Sequence, residues 1–116
     1  MQTRDLPLSY TVIPGRHEGT TILRLSGPLI LGNIFDFQKE FREMKPRALI
    51  LDLSDSPYMD SAGLGLIMNY YVSAERAGRR LLIAGANDRI NALLGLTRVS
   101  LLLRLFPTVA DAEADL

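Results

Sequence analysis

The sequence contains no cysteine and a single histidine, His17. The first absence excludes disulfide frameworks, thiolate zinc sites and cysteine nucleophiles, and suits a reducing compartment. The second excludes a metal centre built from several imidazoles, so acid–base chemistry would rest on His17 or on carboxylates. Neither sign of charge dominates: 13 Lys and Arg offset 13 Asp and Glu. Nothing in that balance calls for nucleic acid or an anionic membrane as a partner. Long apolar runs are also missing. No stretch reaches the ~20 residues of a bilayer span, and Met1 to Tyr10 lack the charged segment and apolar run of a secretory signal. We therefore expect a soluble cytoplasmic protein without metal or cofactor, and poorly equipped to be an enzyme.

What is present is a globular composition, 47% apolar and 22% charged over 116 residues. That length suits a single domain spanning 1–116. Leu8 to Ile13 mixes β-branched and aromatic residues and stops at Pro14-Gly15, and Thr20 to Leu25 alternates before Gly27-Pro28; these read as two strands of a hairpin, with His17 in its turn. From Asn33 the period changes. Ile34, Phe37, Phe41 and Met44 fall on one helical face, with Asn33 as the expected N-cap. Ala48 to Leu53 and Leu81 to Ala84 are short apolar runs of the kind buried inside a sheet. Between them, Leu64, Ile67, Met68, Tyr71 and Val72 mark a second helix ending near Gly78. A third helix starts at Asn87, carries Ile90, Leu93 and Leu94, and stops at Gly95; an apolar run from Leu101 to Phe106 and a short helix capped by Thr108 follow. The order is β-β-α-β-α-β-α-β-α, which implies an α/β fold: a mixed sheet with an N-terminal antiparallel hairpin and helices packed against it.

In such sheets function sits beyond the carboxyl ends of the strands. The loops there are Gly27 to Asn33, Ser54 to Ser61 and Gly85 to Asn87. The middle one is richest in carboxylates and hydroxyls. Ser61, directly before the second helix, fits an N-cap role. Gly63 and Gly65 each cost ~1 kcal/mol against Ala inside a helix, which suggests a close backbone approach, either to the sheet beneath or to a partner above. The glycine pattern matches neither the dinucleotide fingerprint nor a phosphate loop. Asp52 ends a central strand like the phosphoacceptor of response-regulator receivers, but the acidic pair after the first strand and the late lysine are missing. A serine hydrolase would have to take its base from His17.

The stretch Met59-Asp60-Ser61-Ala62-Gly63-Leu64-Gly65 resembles the STAS domain family, and in particular its single-domain anti-sigma factor antagonists. The opening hairpin, Leu82 to Gly85, Leu93 to Leu96 and Ala110 to Ala112 extend the resemblance over nearly the whole chain. It implies that Ser61 is the phosphoacceptor of a partner that is both anti-sigma factor and serine kinase. Unphosphorylated antagonist would hold that partner and free the sigma factor; phosphorylation would release it. Asn33, Tyr58, Met59, Asp60, Ser61, Ala62, Gly63 and Leu64 are the implied contact residues, with no catalytic residue and no metal. A phosphatase is a further partner in this scheme, and the protein would be a monomer or weak homodimer. Ser56, which also follows an Asp, is a rival acceptor. Pro28 and Ile30 stand where the family often has acidic residues, and Ala62 replaces a second hydroxyl of some members. An alternative is a STAS subunit of a transporter-associated or multi-protein signalling assembly, in which Ser61 only caps its helix.

Overall fold

A computed structural model describes residues 7–116; Met1 to Leu6, part of the segment read for a secretory signal, lie outside the described residues. The elements are β1 (Ser9–Pro14), β2 (Thr20–Ser26), α1 (Phe35–Glu43), β3 (Ala48–Asp55), α2 (Ser61–Arg76), β4 (Arg80–Ala84), α3 (Asp88–Leu96), β5 (Arg104–Phe106) and α4 (Val109–Ala114), with one 3-10 turn at Val99–Leu101. The expected order holds. The five strands lie in the spatial order β1-β2-β3-β4-β5, with β1 antiparallel to β2 and every other pair parallel.

Alternation along the strands gives the sheet two different faces. Leu23, Leu25, Leu49, Leu51, Leu53, Leu81 and Ile83 point to one face and pack with Phe37, Phe41, Ile67, Tyr70, Ile90 and Leu94 of α1, α2 and α3. A row of rings runs through this layer: Tyr10, Phe37, Phe41 and Tyr70 follow one another at centroid separations of 5.2, 5.2 and 4.6 Å. Ile22, Ile50, Leu82 and Ala84 point the other way and meet Ala112 of α4. With apolar side chains on both faces, β3 and β4 read as nearly unbroken apolar runs.

Where the elements depart from the periodicity, the local chemistry explains it. Asn33 does not cap α1: Ile34 holds that position without a side-chain bond, and the Asn33 amide donates to the Pro28 carbonyl at 3.0 Å instead. In α2 the buried side is Leu64, Leu66, Ile67, Tyr70 and Ala74, while Val72 is 46% exposed. Gly78, at φ +73°, ends that helix as expected; its N–H and that of Arg79 bond back to Glu75 and Ala74, the reciprocal pair of a Schellman cap. Helix α3 runs past Gly95 to Leu96, because Thr97 closes it by donating its hydroxyl to the Leu93 carbonyl at 2.7 Å. The apolar run from Leu101 is not all strand either. Leu101 and Leu102 are exposed, and β5 begins only at Arg104.

Candidate functional site

Because β2, β3 and β4 are parallel, the loops following them emerge at one edge of the sheet, where they are joined to one another. Met59 forms a parallel bridge with Leu29. The Leu29 N–H donates to the Tyr58 carbonyl at 3.1 Å, and the Asp60 N–H to the Leu29 carbonyl at 3.2 Å. Asn87 adds the third loop. Its Oδ1 accepts from the Ile90 N–H and caps α3, while its Nδ2 donates to the Pro57 carbonyl, both at 2.9 Å. Next to it, the Arg89 guanidinium lies 4.7 Å from the centre of the Tyr58 ring.

The N-cap of α2 is Asp60, not Ser61. Its carboxylate divides its oxygens between two elements: Oδ1 accepts from the Gly63 N–H and Oδ2 from the Leu31 N–H, each at 3.0 Å. Burial works to raise this carboxyl's pKa, but the N–H donors of Leu31, Gly63, Ala62 and Asp60 itself outweigh it and hold the group below the ordinary carboxylate range. Ser61 becomes the first helical residue and is exposed, and among the described residues no side chain or backbone group is bonded to its hydroxyl. The prediction of a serine cap fails because an Asp one position earlier reaches the same orphan amide.

The expected contact residues divide by burial. Ser61 is exposed, and Asn33, Tyr58, Asp60 and Ala62 are half-buried. Met59, Gly63 and Leu64 are buried in the chain's own packing, so the side chains open to solvent in this stretch are those of Ser61 and its half-buried neighbours. A Cβ at Gly63 would come within 2.0 Å of the Leu29 carbonyl oxygen. The close approach therefore belongs to the chain's own β2–α1 loop. Gly65 is the open one, exposed and with nothing within 4 Å of where its Cβ would be. It stands one turn beyond Ser61 on the solvent side.

Ser56, the rival acceptor, is 2% exposed and donates its hydroxyl to the Gly27 carbonyl at 2.7 Å. A kinase has no access to it. Asp52 is equally buried and sits with Ile22 and Ile50 on the other side of the sheet, held by Arg24 Nε at 3.0 Å and by the Ser54 N–H and hydroxyl. Those bonds lower its pKa against the raising effect of burial. It is a structural ion pair. His17 lies in the hairpin leading into β2, at the amino end of the parallel strands, where its ring contacts the Glu113 carbonyl at 3.1 Å. Ser61 is at the carboxyl end, so the base required by a hydrolase is at the wrong edge. Among the described residues no group of three or more His, Cys, Asp or Glu could hold a metal ion, and no helix is long and apolar enough to cross a membrane.

The sequence places Leu31 and Asn87 in the loops of this edge without a functional role for either, and it gives no place there to Phe35 and Arg89. Leu31 and Phe35 are 56% and 64% exposed. Phe35 could have been found, since it is the aromatic that breaks the Ile34, Phe37, Phe41 spacing. Arg89 carried no such signal, because its neighbour Tyr58 is distant in sequence.

Known proteins share this fold. An anti-sigma F factor antagonist of Paenibacillus polymyxa is 25% identical over 104 residues, covering 86% of this chain and 89% of that protein. The crystal structure of a sulfate transporter family protein from Wolinella succinogenes superposes with a TM-score of 0.74 at 27% identity, covering 84% of each chain. The unphosphorylated form of the anti-sigma factor antagonist SpoIIAA also gives 0.74, at 15% identity, over 90% of this chain and 92% of that one. The STAS domain family model matches residues 12–112. With five strands and four helices among the described residues and that match over most of its length, this chain belongs to the STAS domain family.

Proposed function

We propose that this chain is an anti-sigma factor antagonist, a non-enzymatic, cytoplasmic binding module switched by phosphorylation of Ser61. The observation that carries the reading is the division of labour at the start of α2. Asp60 performs the capping, and Ser61 is left exposed with its hydroxyl uncommitted. A kinase can therefore modify Ser61 without removing the cap. The Paenibacillus relative is named an anti-sigma F factor antagonist, and SpoIIAA has been solved in a phosphorylated form.

In this scheme the partner is an anti-sigma factor that is also a serine kinase, and the unphosphorylated chain binds it and frees the sigma factor. The kinase transfers the γ-phosphoryl group of ATP to Ser61 Oγ, the hydroxyl proton leaves, and ADP departs. The product carries about −1.5 to −2 charge beside Asp60. Helix amides can accept that charge locally, so the fold persists, while a partner seated over Ser61 and Gly65 meets a hydrated anion. A phosphatase would return the chain to its binding form, and a monomer or weak homodimer suffices.

Pull-down with wild-type, Ser61→Ala and Ser61→Asp bait tests the reading, together with phosphosite mapping after incubation with the captured kinase and ATP. Wild type and Ser61→Ala should retain an ATP-binding partner that Ser61→Asp loses, with phosphate on Ser61. Equal retention by all three, or phosphate elsewhere, would refute the switch. The likeness to a sulfate transporter family protein favours one other reading, a transporter-associated STAS subunit, which predicts equal binding by all three baits.

A further inference from the structure

We propose that Arg89 is the cation that pairs with the phosphate on Ser61, leaving its resting place on the Tyr58 ring when the phosphate arrives. This rests on the reading of Ser61 as a phosphoacceptor. The three loops at the carboxyl edge, with the first turn of the helix that follows each, span residues 27–38, 54–64 and 85–91. Those segments contain Asp36, Asp55, Asp60 and Asp88, but Arg89 is their sole Lys or Arg. A phosphate added here joins segments that carry four carboxylates and one basic side chain.

The placement of Arg89 is fixed by contacts. Asn87 ties the start of α3 to Pro57 while capping the helix. Arg89, in the first turn of that helix, lies over Tyr58. Tyr58 is three residues from Ser61, a span of at most about 10 Å even in extended chain. Arg89 is itself exposed, so its long side chain is free to leave the ring. An exposed cation–π contact is weaker than a two-pronged guanidinium–phosphate pair. The exchange therefore runs toward the phosphate. Asp88 does not compete for Arg89, because adjacent helical residues point in different directions.

The opposing influences can be separated. Asp60, Asp55, Asp88 and Asp36 disfavour the dianion and raise the second pKa of the phosphate, whereas Arg89 and the α2 amides favour the dianion and lower it. Phosphoserine installed at position 61 by genetic code expansion allows a 31P NMR titration of the full chain without any kinase. The second pKa should lie lower in the otherwise wild-type protein than in Arg89→Gln by about half a unit, a roughly threefold difference in proton affinity. The gap should narrow as salt is added. Coincident midpoints, or a lower midpoint in the variant, would overturn the assignment. Since the phosphate is installed, that outcome is independent of whether a kinase modifies Ser61, which the pull-down and phosphosite mapping decide.

Discussion

Gly63 and Gly65 are two residues apart in one helix and have opposite requirements. A methyl group at Gly63 would collide with a backbone oxygen at 2.0 Å, and neither α2 nor the bridged Leu29 strand can yield cheaply. We expect Gly63→Ala to destabilise the protein by ~1–3 kcal/mol, the usual cost of overpacking, despite the gain in helix propensity. Gly65→Ala meets open space and should stabilise by up to ~1 kcal/mol. Urea midpoints of the two variants should move in opposite directions. Under the proposed function a partner should by contrast tolerate Gly65→Ala worse, since that position lies on the surface next to Ser61.

At the scale of elements, α2 and the β2–α1 loop share one carboxylate. Asp60→Asn keeps an oxygen for the Gly63 N–H but cannot accept from Leu31 as well, so it should cost ~1 kcal/mol, one hydrogen bond to a charged group reduced by exposure. The pH dependence has a definite sign. The folded-state pKa of Asp60 is lowered, so its contribution is fully present above the unfolded value of ~3.9 and is lost as pH falls through the lower folded value. Chemical denaturation across that acid range should show the stability gap between wild type and Asp60→Asn closing on acidification; a constant gap would separate the carboxylate from the effect. The elements themselves were legible in the sequence because periodicity and turn residues report local structure: Asn87 and Thr108 cap α3 and α4 as expected. The cap of α2 was misassigned because Asp60 and Ser61 are both good caps, and only backbone geometry chooses between them. The contacts of Asp60 with Leu31 and of Arg89 with Tyr58 were not legible at all. Each joins segments whose proximity is decided by strand order, which a single sequence does not print.

The molecule as a whole is asymmetric about its sheet. Three helices and the ring stack fill one face, while the other depends on the six residues of α4 and the small cluster around Ala112. Ala112 is 0% exposed. Ala112→Asp would bury an unpaired carboxylate against Leu82 and Ile50, and should cost ~3 kcal/mol or more. A thermal melt should show the loss as one lowered transition; a separate early transition would instead mean that α4 detaches on its own.

The edge that carries Ser61 is assembled from residues 27–33, 54–61 and 85–89, joined by the Leu29 bridge, the Asp60 carboxylate and the Asn87 amide. None of these pieces has its shape until β2, β3 and β4 lie side by side. A partner that reads this edge therefore reads the completed sheet, and a nascent or unfolded chain offers it only a short acidic peptide. Under the proposed function such a surface is in effect a certificate of folding, and a switch built on it would count native molecules rather than all the copies that have been made.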